Sequence, residues 1–461
     1  MSHRDSHVRL NLVCLQQCLR WLLAGIDWSA ITFRKDCRWT PKTLVAGALL
    51  WAWSDEQTLV ERFRTVRKIA TRLAGEQQQL AKTYQAFTKI LRRWTDELVL
   101  LVRVALHERM QQALPHHWRV GSFVLFGVDG SRIELPRTRS HEQAYSTIRK
   151  RRRGKNRRGK RLSARHAKKA NSPQLWLTTM WHAGMGLPWD WRTGPADSSE
   201  RAHLRDMLGG LPAGALLAAD AGFVGYEGLW EIYSGGRHLL IRVGSNVRLL
   251  KQLGWVRERE GLVYLWPDQA ARRGQPPLAL RLVVAHNGQH PVYLVTTVLS
   301  QRELPDTQVI EMYARRWGIE LFYRHLKQTF RRRKLRSTSA ENARVELAWS
   351  LVGLWAMALY ALVEADRQDV PPERLSFAKL LLAFRRTLRD YLHPTEPGER
   401  LCERLRQAII DSYLRQHKAS RNYPRKKQEQ PPGPPQIIRA STTQIQLANA
   451  LAHPQQKGLT A

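Results

Sequence analysis

The chain has 461 residues, enough for roughly two to four domains with at least one sizeable core, and its 43% hydrophobic content fits a globular protein. Lys and Arg total 75 against 39 Asp and Glu, a net charge of +36 that attracts polyanions and repels other copies of the chain, so nucleic acid is the first candidate partner. The four cysteines, Cys14, Cys18, Cys37 and Cys402, form no CxxC pair and no zinc-spaced Cys/His cluster, which excludes a zinc module and implies a reducing compartment.

The first residues, MSHRDSHVRLNLV, lack the layout of a secretory leader. Residues 1 to about 117 read as helical. VRLNLVCLQQCLRWLLAGI and the stretch from Leu59 to Trp94 carry apolar residues at three-to-four spacing. Arg62, Arg64, Arg67, Lys68 and Arg72 interleave with them, and Gly75 divides two helices. A helix-turn-helix-like unit that binds DNA is the expectation for this region, although any basic bundle has the same pattern.

The period then changes. Ser122 to Val128 (SFVLFGV) reads as a buried strand leading into Asp129-Gly130, and Ala215 to Ala219 (ALLAA) as another leading into Asp220-Ala-Gly. Leu175 to Trp181 is a strand between them. Asp197, Ser198 and Ser199 open a helix, with Glu200 placed for a capping box. These elements begin an α/β domain with a mixed sheet. Arg149 to Lys169 interrupts it with a nearly continuous basic run, expected to lie on a phosphate backbone without reading sequence.

Residues 244–300 are strand-rich. LALRLVVAH, Asn287-Gly288 and VYLVTTVL form a predicted hairpin within a β insertion continuous with the domain. Helical periodicity runs from Asp306 to about Arg367. Its uncharged segment, Leu347 to Val363, is at the short limit for a membrane span and is bracketed by Arg344, Glu346 and Glu364. A buried helix is the better reading, and no membrane partner is expected. The predicted organisation is a helical region at 1–117, a catalytic α/β domain at 118–370, a helical region at 371–416 and a flexible basic, Pro-rich tail at 417–461.

One helix face carries the chemistry. Tyr313, Arg316, Glu320 and Lys327 fall within an arc of roughly 60° on an ideal helix. Arg324 and Arg331 lie near the same stripe. A surface salt-bridge face accounts for Arg316 and Glu320 but leaves the excess of cations unexplained. Phosphodiester chemistry accounts for both: two divalent ions activate the attacking oxygen and stabilise the leaving one, held by oxygen ligands suited to Mg²⁺ or Mn²⁺. Asp129 and Asp220 at strand ends and Glu320 on the later helix supply such ligands, though a lone strand-end Asp often only caps a turn.

At these residues the pattern becomes specific. Asp129-Gly-Ser, Asp220-Ala-Gly-Phe, then Tyr313, Arg316, Glu320 and Lys327 resemble the DDE transposases of bacterial insertion sequences. The likeness is to the insertion-sequence-four-type group, whose signature is Tyr, two residues, Arg, three residues, Glu, six residues, Lys. It covers about residues 118–370. It implies a ribonuclease-H-like fold, with Asp129, Asp220 and Glu320 binding two Mg²⁺, Mn²⁺ being a substitute. It also implies that Tyr313, Arg316 and Lys327 grip phosphates, and that a tryptophan of the insertion, Trp255 or Trp266, stacks on a flipped base. Arg242, on the strand before the insertion, is a further candidate DNA contact, as are Arg324 and Arg331. The implied partners are double-stranded DNA, both the element's terminal inverted repeats and the target, and a second copy of the chain. The implied location is the cytoplasm, at the nucleoid.

Three other readings stay open at this stage. A ribonuclease-H-like nuclease or resolvase would cut without joining. A binding-only descendant of a transposase would not need Asp129, Asp220 and Glu320, and neither would a basic structural or RNA-binding protein. No P-loop and no GxGxxG after a strand is present.

Overall fold

The computed structural model describes residues 14–74, 80–146, 172–286, 290–392, 400–409 and 433–452. The basic run at 149–169, Gly75 and the Asn287-Gly288 turn lie outside these segments.

Short polar residues start the N-terminal helices. α1 is described over 14–22. Thr40 caps α2 (Pro41–Trp53) by accepting the Thr43 N–H, and Pro41 fills a first-turn position that needs no donor. α3 (Leu59–Ala74) buries Phe63, Val66 and Ile69, while Arg64, Lys68 and Arg72 face solvent. Arg62 is the exception among its basic residues: it is buried and donates to the Glu56 carbonyl. Thr83 caps α4 (Tyr84–Ala113).

The next elements build the sheet. These are β1 (Leu125–Glu134), α5 (Arg139–Tyr145), β2 (Gln174–His182), β3 (Leu187–Pro195), α6 (Glu200–Leu208), β4 (Leu216–Ala219), α7 (Tyr226–Ser234) and β5 (His238–Val243). β1 and β2 are antiparallel, as are β2 and β3, whereas β4 lies parallel to both β1 and β5. The insertion contributes β6 (Arg248–Lys251), β7 (Leu262–Leu265), α8 (Asp268–Arg272), β8 (Leu278–His286) and β9 (Pro291–Thr296). Because β9 pairs with β5, the insertion extends the same sheet. With β10 (Gln436–Arg439) from near the C-terminus, the resulting order is β10-β6-β7-β8-β9-β5-β4-β1-β2-β3.

α9 (Asp306–Arg315), α10 (Gly318–Arg324), a π-helical turn (His325–Thr329) and α11 (Ala340–Asp366) follow. The long helix expected over 306–367 is therefore broken twice. The buried helix expected at 347–363 is the middle of α11. α2 and α4 pack against α11, as do α12 (Phe377–Leu392) and α13 (Leu401–Arg406). Trp53 Nε1 donates to the Gly353 carbonyl at 2.8 Å, and Trp349 Nε1 to Thr95 Oγ1 at 3.0 Å. A Cβ on Gly353 would meet Ala52 Cβ at 2.8 Å, so glycine permits the close crossing of α2 and α11. Through α11 the helices from both ends of the chain share one core with the sheet, across the boundaries expected near 117 and 370.

The tail expected to be flexible from 417 onward contains an ordered stretch. β10 (Gln436–Arg439) pairs in parallel with β6, and α14 (Thr442–Ala452) lies against α8. The Pro- and Gln-rich composition concealed a strand, QIIR, that satisfies the open hydrogen-bonding edge of β6.

Candidate active site

Two acidic side chains meet where β4 ends. The parallel register pairs Leu125 with Leu216 and Gly127 with Ala218. Continued by two residues, it sets Asp220 level with Asp129 on the same face, adjacent strands lying about 4.8 Å apart. Asp220 keeps an extended backbone (φ −83°, ψ 179°) and then caps a short 3-10 turn, accepting the Gly222 N–H at 2.8 Å. Asp129 accepts the Gly130 N–H at 2.9 Å. With β4 gone, the edge of β1 opens beside Asp129 and Gly130, while its other edge stays paired to β2 as far as Glu134.

The third carboxylate arrives on α10. The segment passes over Gly127, on the same face as Asp129, where a Cβ would make ordinary contact with Arg316, 3.6 Å from its Cγ and 3.8 Å from its Cα. Three contacts fix α10 and the π turn on the sheet. Tyr323 donates to the Asp129 carbonyl at 2.7 Å. Lys327 Nζ donates to Ser131 Oγ at 2.6 Å. Gly318 sits against the Trp181 indole. Glu320, in the first turn of α10, keeps 41% of its side chain exposed and accepts from Arg316 at 3.5 Å. Arg316 is itself buried between the rings of Tyr313 and Trp317, each 5.5 Å from its guanidinium carbon. Its Nε has no hydrogen-bond partner among the described residues. The buried guanidinium offsets part of the repulsion among the neighbouring carboxylates.

The charges respond to this crowding. Burial, with added repulsion from Asp220 and Glu320, pushes the Asp129 carboxyl up to about 6, against the pull of the Gly130 N–H and Arg316. Burial raises the Tyr313 phenol, which lies in the fields of Arg316, Arg242 and Asp220. Burial lowers the Lys327 ammonium. A buried carboxylate held back from ionising, as Asp129 is, is what a hard divalent cation relieves, and a donor set made of carboxylate oxygens fits Mg²⁺ or Mn²⁺.

Asp129, Asp220, Glu320 and Arg316 thus lie in one another's electrostatic reach, with Tyr313 and Arg242 alongside and Lys327 held on Ser131, while no three of the described carboxylates bring their oxygens within 4.8 Å of one another. The basis for that proximity differs from a single helical stripe. The helix breaks at Arg316-Trp317 and widens into the π turn at His325, so the 60° arc does not exist, and contacts with β1 align the side chains instead. Arg324 and Arg331 are exposed; Arg331, at φ 55°, lies in the field of Arg385 on α12. Trp266 is 3% exposed, and its Nε1 donates to the Gln275 carbonyl at 2.8 Å, so its ring is core packing in this structure. Trp255 is half-buried against the core of the insertion.

The sequence pattern of the transposase DDE domain matches residues 124–355, half of the chain. The chain belongs to this family. It is 27% identical over 199 residues to the transposase InsG for insertion sequence element IS4 of Escherichia coli (strain K12), an alignment spanning 40% of this chain and 44% of that protein. The chain thus matches less than half of that relative's length. A solved piggyBac transposase synaptic complex with hairpin DNA is similar at a TM-score of 0.41 and 9% identity, covering 88% of this chain and 87% of that one.

Three residues of this DDE domain escaped sequence reasoning. Glu200 does not form a capping box: Ser199 caps α6 by accepting the Ala202 N–H, and Glu200 instead lies against Gly130. Burial, with repulsion from Asp129 and Asp220, pushes its carboxyl up to about 7. Trp317, 56% exposed beside Arg316, is the accessible tryptophan next to Glu320. Tyr323 positions Asp129 through its backbone. A small signal was available for Trp317, since it adjoins Arg316 in the signature itself. Away from this site, His116 Nε2 lies 2.6 Å and His117 Nε2 3.3 Å from Asp366 Oδ1, joining the end of α4 to the end of α11.

Proposed function

We propose that this protein is a DNA transposase that binds the ends of an insertion sequence and catalyses metal-dependent cut-and-paste excision and strand transfer. One observation carries the reading: Asp129 and Asp220 stand level on adjacent parallel strands, and α10 brings Glu320 and Arg316 onto the same face. The order β3-β2-β1-β4-β5, with only the first three strands antiparallel, supports a ribonuclease-H-like core. The relative's name as a transposase of an insertion sequence supports the choice of substrate.

In this reading Asp129, Asp220 and Glu320 hold the divalent cations, two Mg²⁺ with Mn²⁺ as a substitute. Such a pair, when bound, activates the attacking oxygen and stabilises the leaving one in an in-line displacement. The chain's own residues do the rest. Arg316 orients Glu320 and lends its positive charge to the phosphate held there. Lys327, held by Ser131, and Arg242 add positive charge along the strand path, and Tyr313 packs beneath Arg316. Tyr323 spends its hydroxyl on the Asp129 backbone and is not a nucleophile. Water attacks first and the freed 3′-hydroxyl later, so no covalent protein–DNA intermediate forms. Residues 1–117 contribute end binding, and their core shared with α11 links that role to the 118–370 catalytic region. Two ends must be held together, so the working unit is a homodimer on double-stranded DNA, acting at the nucleoid in the cytoplasm.

The test is cleavage of a supercoiled plasmid carrying the flanking element ends, in Mg²⁺ and in EDTA, by wild type and Glu320→Ala. Excision and strand-transfer products that require metal and vanish in the variant, with DNA binding retained, are expected. Cleavage without joined products would replace the transposase with a nuclease, and equal cleavage by Glu320→Ala would remove that residue from the site.

A further inference from the structure

A fourth carboxylate approaches this centre from the other side of the sheet. Alternation along β1 puts Gly127, Asp129 and Ser131 on the face covered by α10 and the π turn, as the Arg316 and Lys327 contacts show. Gly130 belongs to the opposite face, where α6 packs. There the space a Gly130 Cβ would fill is taken by Glu200, with Oε1 2.0 Å and Cδ 2.8 Å from that point. Any side chain at 130 would evict it.

The start of α6 is also fastened to the turn that carries Asp220. Arg201 Nε donates to the Gly222 carbonyl at 2.9 Å, and its guanidinium lies 3.1 Å from where a Gly225 Cβ would be. Glu200, the residue before it, is thereby held in electrostatic reach of both Asp129 and Asp220. No cation bridges it among the described ion pairs, and the cap of α6 is supplied by Ser199. The β4 pairing of β1 ends at Gly127, so the edge beside Gly130, below Glu200, is not covered by β4.

We infer that Glu200 is a further ligand of the divalent-cation centre, closing it from the face opposite Glu320. The inference rests on the reading of Asp129, Asp220 and Glu320 as metal-binding carboxylates. It gives a physical reason for glycine at 130, and it predicts a centre with carboxylates on both faces of β1.

Mn²⁺ alone, titrated calorimetrically into the full chain without DNA, tests it. Glu200→Gln keeps shape and removes charge; Gly130→Ala keeps the charge and displaces the carboxylate. Both are expected to weaken Mn²⁺ binding by about tenfold or more. Affinities within about twofold of wild type in both variants, with binding lost in Asp129→Asn, would overturn the role of Glu200 while leaving the centre in place. Wild-type affinity in Asp129→Asn would overturn the centre and this inference together. Thermal midpoints in EDTA separate a local role: a carboxylate that only favours the α6 N-terminus lowers the midpoint when removed and leaves Mn²⁺ affinity unchanged, which also counts against the proposal.

Discussion

Burial imposes a measurable cost on the charged form of Asp129. Folding moves its carboxyl from 3.8 to about 6, chiefly through burial. A carboxyl raised on folding favours the folded state only in its protonated form. Folded stability is therefore lost as pH climbs from about 4 through 6, and the full loss persists above. A shift of about two units corresponds to about 3 kcal/mol. Asn is nearly isosteric, carries no charge and keeps an oxygen for the Gly130 N–H, so Asp129→Asn should recover most of that at pH 8. With an unfolding entropy of about 2.1 cal/mol/K per residue, a chain of this length changes its melting temperature by about 1 °C per kcal/mol. The variant should thus melt about 3 °C above wild type at pH 8 in EDTA, and the gap should shrink by about half at pH 5, where wild-type Asp129 is largely protonated. Scanning calorimetry at the two pH values is the assay. An Asn variant that melts at or below wild type at pH 8, or a gap that does not narrow at pH 5, would refute the account of Asp129 as a carboxylate held at a cost for a cation.

Two further substitutions separate packing from function. Trp266→Ala should lose about 3–5 kcal/mol in urea unfolding because it empties a buried site and orphans the Gln275 carbonyl. Trp317→Ala should stay within about 0.5 kcal/mol of wild type yet weaken binding of element-end DNA by about tenfold, the scale of one lost stacking contact; unchanged DNA binding would show that its exposed ring makes no such contact. Gly353→Ala should destabilise by about 1–3 kcal/mol despite the helix propensity of alanine, because its methyl meets Ala52 at the α2–α11 crossing, and a stabilised variant would show that the crossing yields easily.

The three carboxylates were legible because each stood on a local pattern. Asp129 and Asp220 follow apolar strand runs, and Glu320 lies in a spacing that carries a family likeness. Glu200 was legible only as a residue near a helix start. Its approach to Gly130 depends on how α6 docks on the sheet, which no spacing encodes. The tail failed for a related reason: QIIR is a strand only because β6 offers it an unpaired edge.

Charge, hydrophobic period and signature spacing, all properties of neighbouring residues, determined by themselves that this is a basic α/β protein with a buried apolar helix and an acidic triad in a fixed order. Tertiary structure decided the rest. The β1–β4 register sets Asp220 beside Asp129, and Gly130 leaves room for Glu200 on the face opposite α10. The broken helix carrying Tyr313 to Lys327 is aligned by contacts with β1 and not by its own periodicity. These outcomes depend on contacts between residues separated by tens to hundreds of positions, such as Tyr323 with Asp129 and Trp53 with Gly353, and short-range patterns hold no record of them.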